Sequence, residues 1–531
     1  MRTSLLLWLW VATCGVVSSV AMVVSTQNLG VTFDEPIYIE RGLERWREGT
    51  LAPLIRLGTL PLPVDVQTAP LYFWEQWRGE RFDALADLPR LLPWARAANL
   101  LFWGLLLVYV FRAARHLGGD AAGALAVGLL ACEPSFLGHA ALATTDLSVT
   151  ACLIAFAYHT WTGRESAWGW RVGVPALWFG LAALSKASGP VFGCLILLAI
   201  EAQRRISGAN RTAFIRDGLQ IVGLGVLLMF AYCRSDGLPQ ADALRWAEKL
   251  PEGTSRTLAL GLVENLRVFP NAADGFFRQV GHNARGHGAY LMGVTAPSAL
   301  WWYFPVLLTI KLTVPVLALL ALSLSGARRH LFNPAMACVV FLLAFSVFCR
   351  VQIGIRFMLP LMALLIIALS VAIARAAAES PHWGWQVAGF AALAWSVAIA
   401  GSQLGSSLSY VNDLYNGIKN NYEIVSESNF DWGHGLPALH DWAEDHCPGP
   451  LAVWYYGTDP ALNDRVFEPV RLHEGDIEAN FRRIRGRYLA VSTTLVYGPP
   501  LSALVVETRR RLQEKEPRQR VGTFLIYEIT P

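Results

Sequence analysis

Roughly eleven stretches of this chain are as long and as apolar as a bilayer-crossing helix requires, about 20 residues for a hydrocarbon core. They lie near residues 5–25, 97–114, 120–138, 146–162, 171–187, 189–203, 216–233, 298–324, 333–349, 356–375 and 385–405. That pattern predicts a mainly α, polytopic membrane protein. Composition agrees: 54% of residues are hydrophobic and 16% charged, with a mean hydropathy of +0.38, whereas soluble domains carry about 25% charged residues. Such apolar content is the opposite of a disordered signature. With 44 Lys+Arg against 40 Asp+Glu, the chain also lacks the dense basic surface of a nucleic-acid binder. The eight cysteines contain no CxxC pair and mostly fall inside apolar runs, which implies neither a disulfide framework nor a zinc site.

Lys and Arg in the short loops set the expected orientation. With the N-terminus inside, the inner connections hold Arg112 and Arg115, Arg164 and Arg171, Arg204, Arg205, Arg211 and Arg216, Arg328 and Arg329, and Arg375. The first apolar run reads as a retained span: Arg2 alone precedes it, and Thr26–Gln27–Asn28 is a poor signal-peptidase site. The sequon Asn210–Arg211–Thr212 sits in the most basic inner loop and is not expected to be glycosylated. Three segments face outward: 26–96, 234–297 and 406–531. Residues 1–405 then form the membrane module and 406–531 a separate outer domain. Short strand-like runs at 451–456, 487–495 and 521–528, with helix-like runs at 432–446 and 501–516, predict a small α/β fold there.

Charged residues at the outer ends of the spans are the candidates for chemistry. Asp34 and Glu35 follow the first span closely, where a partly desolvated carboxylate can serve as a general base. An interfacial acidic turn, with Pro36 opening a helix through Tyr38, Arg41 and Trp46, is the plainer reading. In the stretch 133–146, Glu133, His139 and Asp146 flank small residues; Asp146 suits a helix cap or the wall of a polar pocket with His139. Lys186, Lys311, Arg350 and Arg356 are cations that snorkel or meet a phosphate-bearing head group; Lys311 lies deepest in its apolar run. No DxD triplet, GxxxxGK[ST] loop, HExxH or GxSxG occurs, so nucleotide donors, ATP-driven pumping and zinc hydrolysis lose their usual sequence handles.

In order along the chain, TFDEPIYIERG (32–42), TAPLYFWEQW (68–77), EPSFLGHAALATTD (133–146), GLAALSKASGP (180–190), the run 288–315, GIRFMLPL (354–361), YVNDLYNG (410–417) and SNFDWGHGLPAL (428–439) resemble the GT-C phospholipid-carrier-dependent glycosyltransferases, in the protein O-mannosyltransferase and aminoarabinose-transferase branch. The resemblance implies a GT-C bundle of about eleven transmembrane helices with a small C-terminal α/β extracytoplasmic domain. It also implies an inverting transferase of the bacterial inner membrane, acting on the periplasmic face. The donor is then a sugar on a polyprenyl phosphate, and the acceptor a hydroxyl of a lipid, glycan or protein. Carried over to this sequence, Asp34 is the base and Glu35 its support. Lys186, Lys311 and Arg356 hold the departing phosphate, and Asp146 and His139 wall the pocket. Two departures stand out. His434 follows Asp431–Trp432–Gly433 where the family motif usually has Gln, and the 234–297 segment lacks large sugar-binding repeats, which weakens the case for a protein acceptor. A divalent metal ion is left open; His282 and His287, five apart, are its only sequence hint, and no metal ligand is assigned. A multi-span transporter or flippase is the alternative from another class. Against it, the halves show no related repeats and the polar residues gather on one face. A catalytically silent scaffold is a third reading.

Overall fold

The computed structural model describes residues 2–208, 213–265, 267, 270–380, 382–415, 418–499 and 502–529. The sequon Asn210–Arg211–Thr212 lies outside them. Each apolar run coincides with helix, and the chain is a multi-pass membrane protein, but the runs are not eleven straight spans. Among the described residues, five helices are long and apolar enough to cross a membrane: Leu5–Thr26, Leu88–Ala131, Phe214–Cys233, Ile355–Glu379 and Gly384–Ser402. A sixth counts if Tyr303–Lys311 and Val314–Gly326 are taken together.

That pair corrects the reading of 298–324 as one span, because the two halves meet at 111°. The cause is local. Pro315 has no N–H, and its ring clashes with the carbonyl four residues back, that of Lys311; Leu312 and Thr313 are extended (ψ 142° and 147°). The freed carbonyls are met elsewhere, as when Asn412 Nδ2 donates to those of Thr309 (2.6 Å) and Leu312 (2.8 Å). Two further boundaries move. Within Leu88–Ala131 the runs 97–114 and 120–138 form two helices parted at Gly119 (φ 83°, ψ −175°), the first beginning already at Leu88, and the third run stops at Ala131, before Glu133–Pro134 starts a short helix, Pro134–Ala140.

Burial separates central from peripheral helices. The apolar window of Ile355–Glu379 is 89% buried and that of the first helix 17%, so the former is the hub and the latter faces lipid. Helices Leu88–Ala131 and Asp146–Gly163 pack against the hub. Asp146–Gly163 runs 18 residues, about 27 Å, from a polar end at Asp146 to a second ionic cluster. There Arg164 pairs with Glu201 (3.3 Å) and Asp217 (3.4 Å), and Arg171 with Asp217 (3.1 Å). Arg164 and Arg171, two of the arginines read as inner-loop charges, thus lie about a helix length away from Asp146.

The C-terminal α/β region carries a five-stranded sheet in the order 467–469, 451–454, 488–492, 524–528, 519–521. Strand Leu451–Trp454 runs parallel to both its neighbours, and the remaining pairs are antiparallel. Helices Leu436–His446 and Ala503–Gln513 form within the two segments read as helical. Leu436, Leu439 and Ala443, one face of the first, pack on Leu451, Val453, Ala490 and Ile526, the 3.6-residue stripe meeting the two-residue alternation of the strands.

Candidate functional site

The segment that delivers Asp34 is pinned between the membrane module and the C-terminal region. Gly30 N donates to His434 O and Phe33 N to Trp432 O, each at 3.0 Å. Val31 N donates to Asp459 Oδ2 at 3.2 Å, and Thr458 Oγ1 to Phe33 O at 2.8 Å. The two backbones approach so closely that a Cβ on Gly30 would sit 2.9 Å from His434 O and 2.8 Å from Pro437 Cδ; only glycine fits. The Asp431–Trp432–Gly433–His434 motif therefore acts on the 30–33 segment through main-chain hydrogen bonds.

Asp34 precedes helix Glu35–Glu48, which opens with Pro36 as the sequence suggested. The neighbouring carboxylates diverge there. Glu35 is fully buried and accepts from Arg96 Nε (2.8 Å) and Nη2 (2.7 Å), Thr32 N (2.9 Å) and Ala143 N (2.9 Å). Burial pushes its carboxyl up, but the Arg96 charge and these donors outweigh that and hold it below the usual range. Arg96 also donates to the carbonyls of Leu29 and Gly30 (3.2 and 2.8 Å). Glu35 is thus a buried cornerstone, whereas Asp34 turns the other way, its side chain 25% exposed.

Asp34 lines a cavity of about 450 Å³ together with Tyr38, Lys186, His287, Arg356, Glu427, Trp432 and Tyr456, among others. Charges alternate from this lining into the protein behind it. Asp34 Oδ2 accepts from Arg356 Nη1 at 2.8 Å, Arg356 Nη1 lies 3.8 Å from Asp146 Oδ2, and Asp146 Oδ1 pairs with Lys186 Nζ. Aromatic faces back both cations, Trp432 for Arg356 and Phe357 for Lys186, each at 4.2 Å. Asp34 Oδ1 takes no hydrogen bond among the described residues. Asp146 is the first residue of its helix and caps nothing with its side chain; its carboxylate serves the two cations instead.

His139 stands one layer behind. It is buried, edge-on to Trp432 (centroids 6.0 Å apart), and burial pushes its imidazole down to about 3, which keeps it neutral. Lys311 is elsewhere. Its ammonium donates to the carbonyls of Leu408 (3.2 Å), Tyr410 (2.6 Å) and Asn429 (2.9 Å), which uses all three of its protons. The break in the helix turns it toward the chain leading into the C-terminal region rather than into the cavity. Lys311→Met is accordingly expected to lower stability by roughly 1–3 kcal/mol for the orphaned carbonyls; a thermal melt checks it. Arg350 lies with Asn283 and Ala284, donating to their oxygens.

Of the sequence candidates, Asp34, Asp146, Lys186 and Arg356 come together, Glu35 and His139 support from behind, and Lys311 does not join. Glu427 and Tyr456 line the cavity without any local motif pointing to them, and Tyr38 reaches it from the 32–42 stretch. The clue to Arg96 was its position at the start of an apolar run. Among the described residues no group of three or more His, Cys, Asp or Glu side chains is arranged to hold a metal ion.

The motif at 431–434 also predicts a pH signature. Burial pushes the Asp431 carboxyl up to about 6, although the amides of Thr494 and Gly433 donate to it, and burial pushes His434 down to about 4. A raised carboxyl favours folding in acid, and that stability is lost as pH rises through about 4 to 6; a lowered imidazole loses stability as pH falls from about 6.5 to 4. In the wild type the two oppose each other. His434→Gln is expected to make the melting temperature fall as pH rises from about 4 to 6, and Asp431→Asn to make it rise over about pH 4 to 6.5. Melts in a pH series read both signs.

Two further chambers adjoin the cavity. One of about 170 Å³ shares Lys186, Gln279, Val351 and Phe357 with it and is lined by Val191, Phe192, Phe276 and Phe345. The other, about 1180 Å³, shares Leu57, Gln279 and His282 and is formed mainly by helices of the 234–297 segment.

Residues 94–231 match the family model described as dolichyl-phosphate-mannose-protein mannosyltransferase. In structure, the chain is similar to ArnT from Cupriavidus metallidurans, solved bound to undecaprenyl phosphate, with a TM-score of 0.51, 16% identity and 97% of each chain covered. The oligosaccharyltransferase of Archaeoglobus fulgidus gives a TM-score of 0.48 at 11% identity, covering 93% of this chain and 72% of that one. No curated protein matches the chain in sequence.

Proposed function

We propose, for this chain of the GT-C glycosyltransferase fold, that it is a membrane glycosyltransferase moving a sugar from a polyprenyl-phosphate donor to a hydroxyl acceptor. The observation that carries this reading is the alternating array Asp34–Arg356–Asp146–Lys186, in which Asp34, Arg356 and Lys186 line one cavity, with Asp146 buried behind the cations, and that cavity adjoins an apolar chamber. A lipid-linked sugar phosphate needs both environments, cations for the phosphate and hydrocarbon-like walls for the chain. The solved ArnT complex holds such a lipid phosphate, which supports extending the donor class to this chain.

In this reading Arg356 and Lys186 bind the donor phosphate and stabilise the charge that grows on it as it leaves. Asp34, with Oδ1 open, takes the proton from the acceptor hydroxyl. The acceptor oxygen bonds to the anomeric carbon as the bond from that carbon to the phosphate oxygen breaks. The electron pair goes to the phosphate, releasing polyprenyl phosphate. A single displacement inverts the anomeric configuration. Glu35 and Arg96 fix the backbone that carries Asp34, and His139 and Trp432 hold Arg356 and Asp146 in register. The working face is the periplasmic side of a bacterial inner membrane, and the acceptor is a lipid, glycan or protein.

Mass spectrometry of envelope lipids, glycans and proteins from a deletion strain tests the reading. The expected result is one envelope species lacking a hexose or pentose, restored by the wild-type gene and not by the Asp34→Asn form. An unchanged envelope with lost uptake of a polar substrate into vesicles overturns it in favour of a transporter.

A further inference from the structure

The cavity that holds Lys186 and Arg356 carries a second carboxylate, Glu427, whose surroundings are unlike those of Glu35. Both are buried; the Glu427 side chain is 7% exposed and lines the cavity. Glu35 receives four donors at 2.7–2.9 Å. Among the described residues, Glu427 receives one side-chain donor at the limit of bonding distance, Tyr456 OH at 3.4 Å to Oε1, while His287 Nε2 stands 3.6 Å from the same oxygen. A carboxylate has about four acceptor sites, and a buried one short of donors is costly. Most of the Glu427 acceptor capacity is therefore open to whatever fills the cavity.

Two features hold the group where it is. Glu427 has a left-handed backbone (φ 52°) although it is not glycine, a conformation that costs on the order of 1–3 kcal/mol and is found where surrounding structure enforces it. That enforcement is present: its N–H donates to Thr494 Oγ1 (3.0 Å), and its carbonyl accepts from Phe430 N (2.8 Å). Behind it, His287 Nδ1 meets His282 Nε2 at 3.1 Å, and both imidazoles also line the cavity. Tyr456 packs at a tilt of 30° against Phe33, next to Asp34 (centroids 5.4 Å apart).

We propose that Glu427, steadied by His287 and Tyr456, is the subsite for the transferred sugar: its carboxylate accepts from hydroxyl or ammonium groups of the ring while Arg356 and Lys186 hold the phosphate. This rests on the glycosyltransferase reading above and adds to it a division of the cavity, with one part for phosphate and another for sugar. Discrimination between sugars then comes from Glu427, because a buried acceptor left without its donor penalises the wrong ring.

The test uses full-length protein in nanodiscs, with polyprenyl-phosphate sugars extracted from membranes of the source cells as donor and farnesyl phosphate as the sugar-free probe. For Glu427→Ala the expected result is a donor KM raised roughly 10- to 100-fold, the span of a lost charge-assisted hydrogen bond, with farnesyl phosphate binding within about twofold of wild type. Glu427→Gln keeps an acceptor oxygen. A hydroxyl-bearing sugar then loses less than with Ala, whereas an amino sugar loses as much. Arg356→Ala weakens farnesyl phosphate binding and so marks the phosphate part. Unchanged donor KM in both Glu427 variants overturns the subsite, as does a fall in kcat at unchanged KM, which would assign Glu427 to proton transfer. Intact farnesyl phosphate binding in the Gln variant certifies its fold. Wild-type protein that neither binds farnesyl phosphate nor consumes donor overturns the glycosyltransferase reading itself, a result distinct from failure of the subsite alone.

Discussion

Asp34→Asn is expected to lower kcat by roughly 100- to 10,000-fold, the usual contribution of a positioned general base, while leaving donor KM nearly unchanged. The reasoning is geometric. Asparagine keeps the size of the side chain and can still accept from Arg356 with its amide oxygen, so the cation stays in place for the phosphate. What is lost is the ability of the second oxygen, which takes no hydrogen bond among the described residues, to accept a proton from the acceptor. An effect on kcat alone is the mark of an interaction made only as the reaction proceeds. Steady-state kinetics on purified protein checks it. A rate equal to wild type from a normally folded Asn variant removes the base assignment.

The second large effect concerns folding. Arg96→Leu is expected to cost about 3–5 kcal/mol, because it leaves Glu35 charged, buried and unpaired and strips donors from the carbonyls of Leu29 and Gly30. The double variant Glu35→Leu/Arg96→Leu should recover part of that loss, since the desolvated charge goes with its partner. Thermal melts of the two single variants and the double variant in detergent measure the coupling. Additive losses would show that the pair does not act as a unit. This separates Glu35 from Asp34 by role. Both carboxylates were legible as an acidic pair beyond the first span, and only their environments show that one carries the backbone while the other faces the cavity.

Helices were the legible part of this fold because hydrocarbon thickness imposes a run length that any sequence must declare. The break at Thr313 was hidden because the apolar run continues through it unchanged; Pro315 was its only sign, and a proline is tolerated inside many membrane helices. In the C-terminal region the strands at 451–454, 488–492 and 524–528 showed as β-branched and aromatic runs, whereas the three-residue edges at 467–469 and 519–521 are too short to show a period. Asp34, Asp146, Lys186 and Arg356 stood out because charge at the end of an apolar run has few explanations. Lys311 stood out equally, and its destination depended on the bend. Glu427 and Tyr456 carried no local signal: they reach the cavity from hundreds of residues beyond Asp34, through main-chain pairing of 30–33 with 432–434.

Single-turnover transfer puts the central claim to the most direct trial. Wild-type protein in nanodiscs is mixed with isotopically labelled polyprenyl-phosphate sugar and an envelope-lipid acceptor extract, and the lipid products are followed by mass spectrometry. The expected result is one polyprenyl monophosphate released for each sugar appearing on an acceptor hydroxyl, with neither product formed by Asp34→Asn. Donor recovered intact, or carried across the bilayer with its sugar still attached, would contradict it.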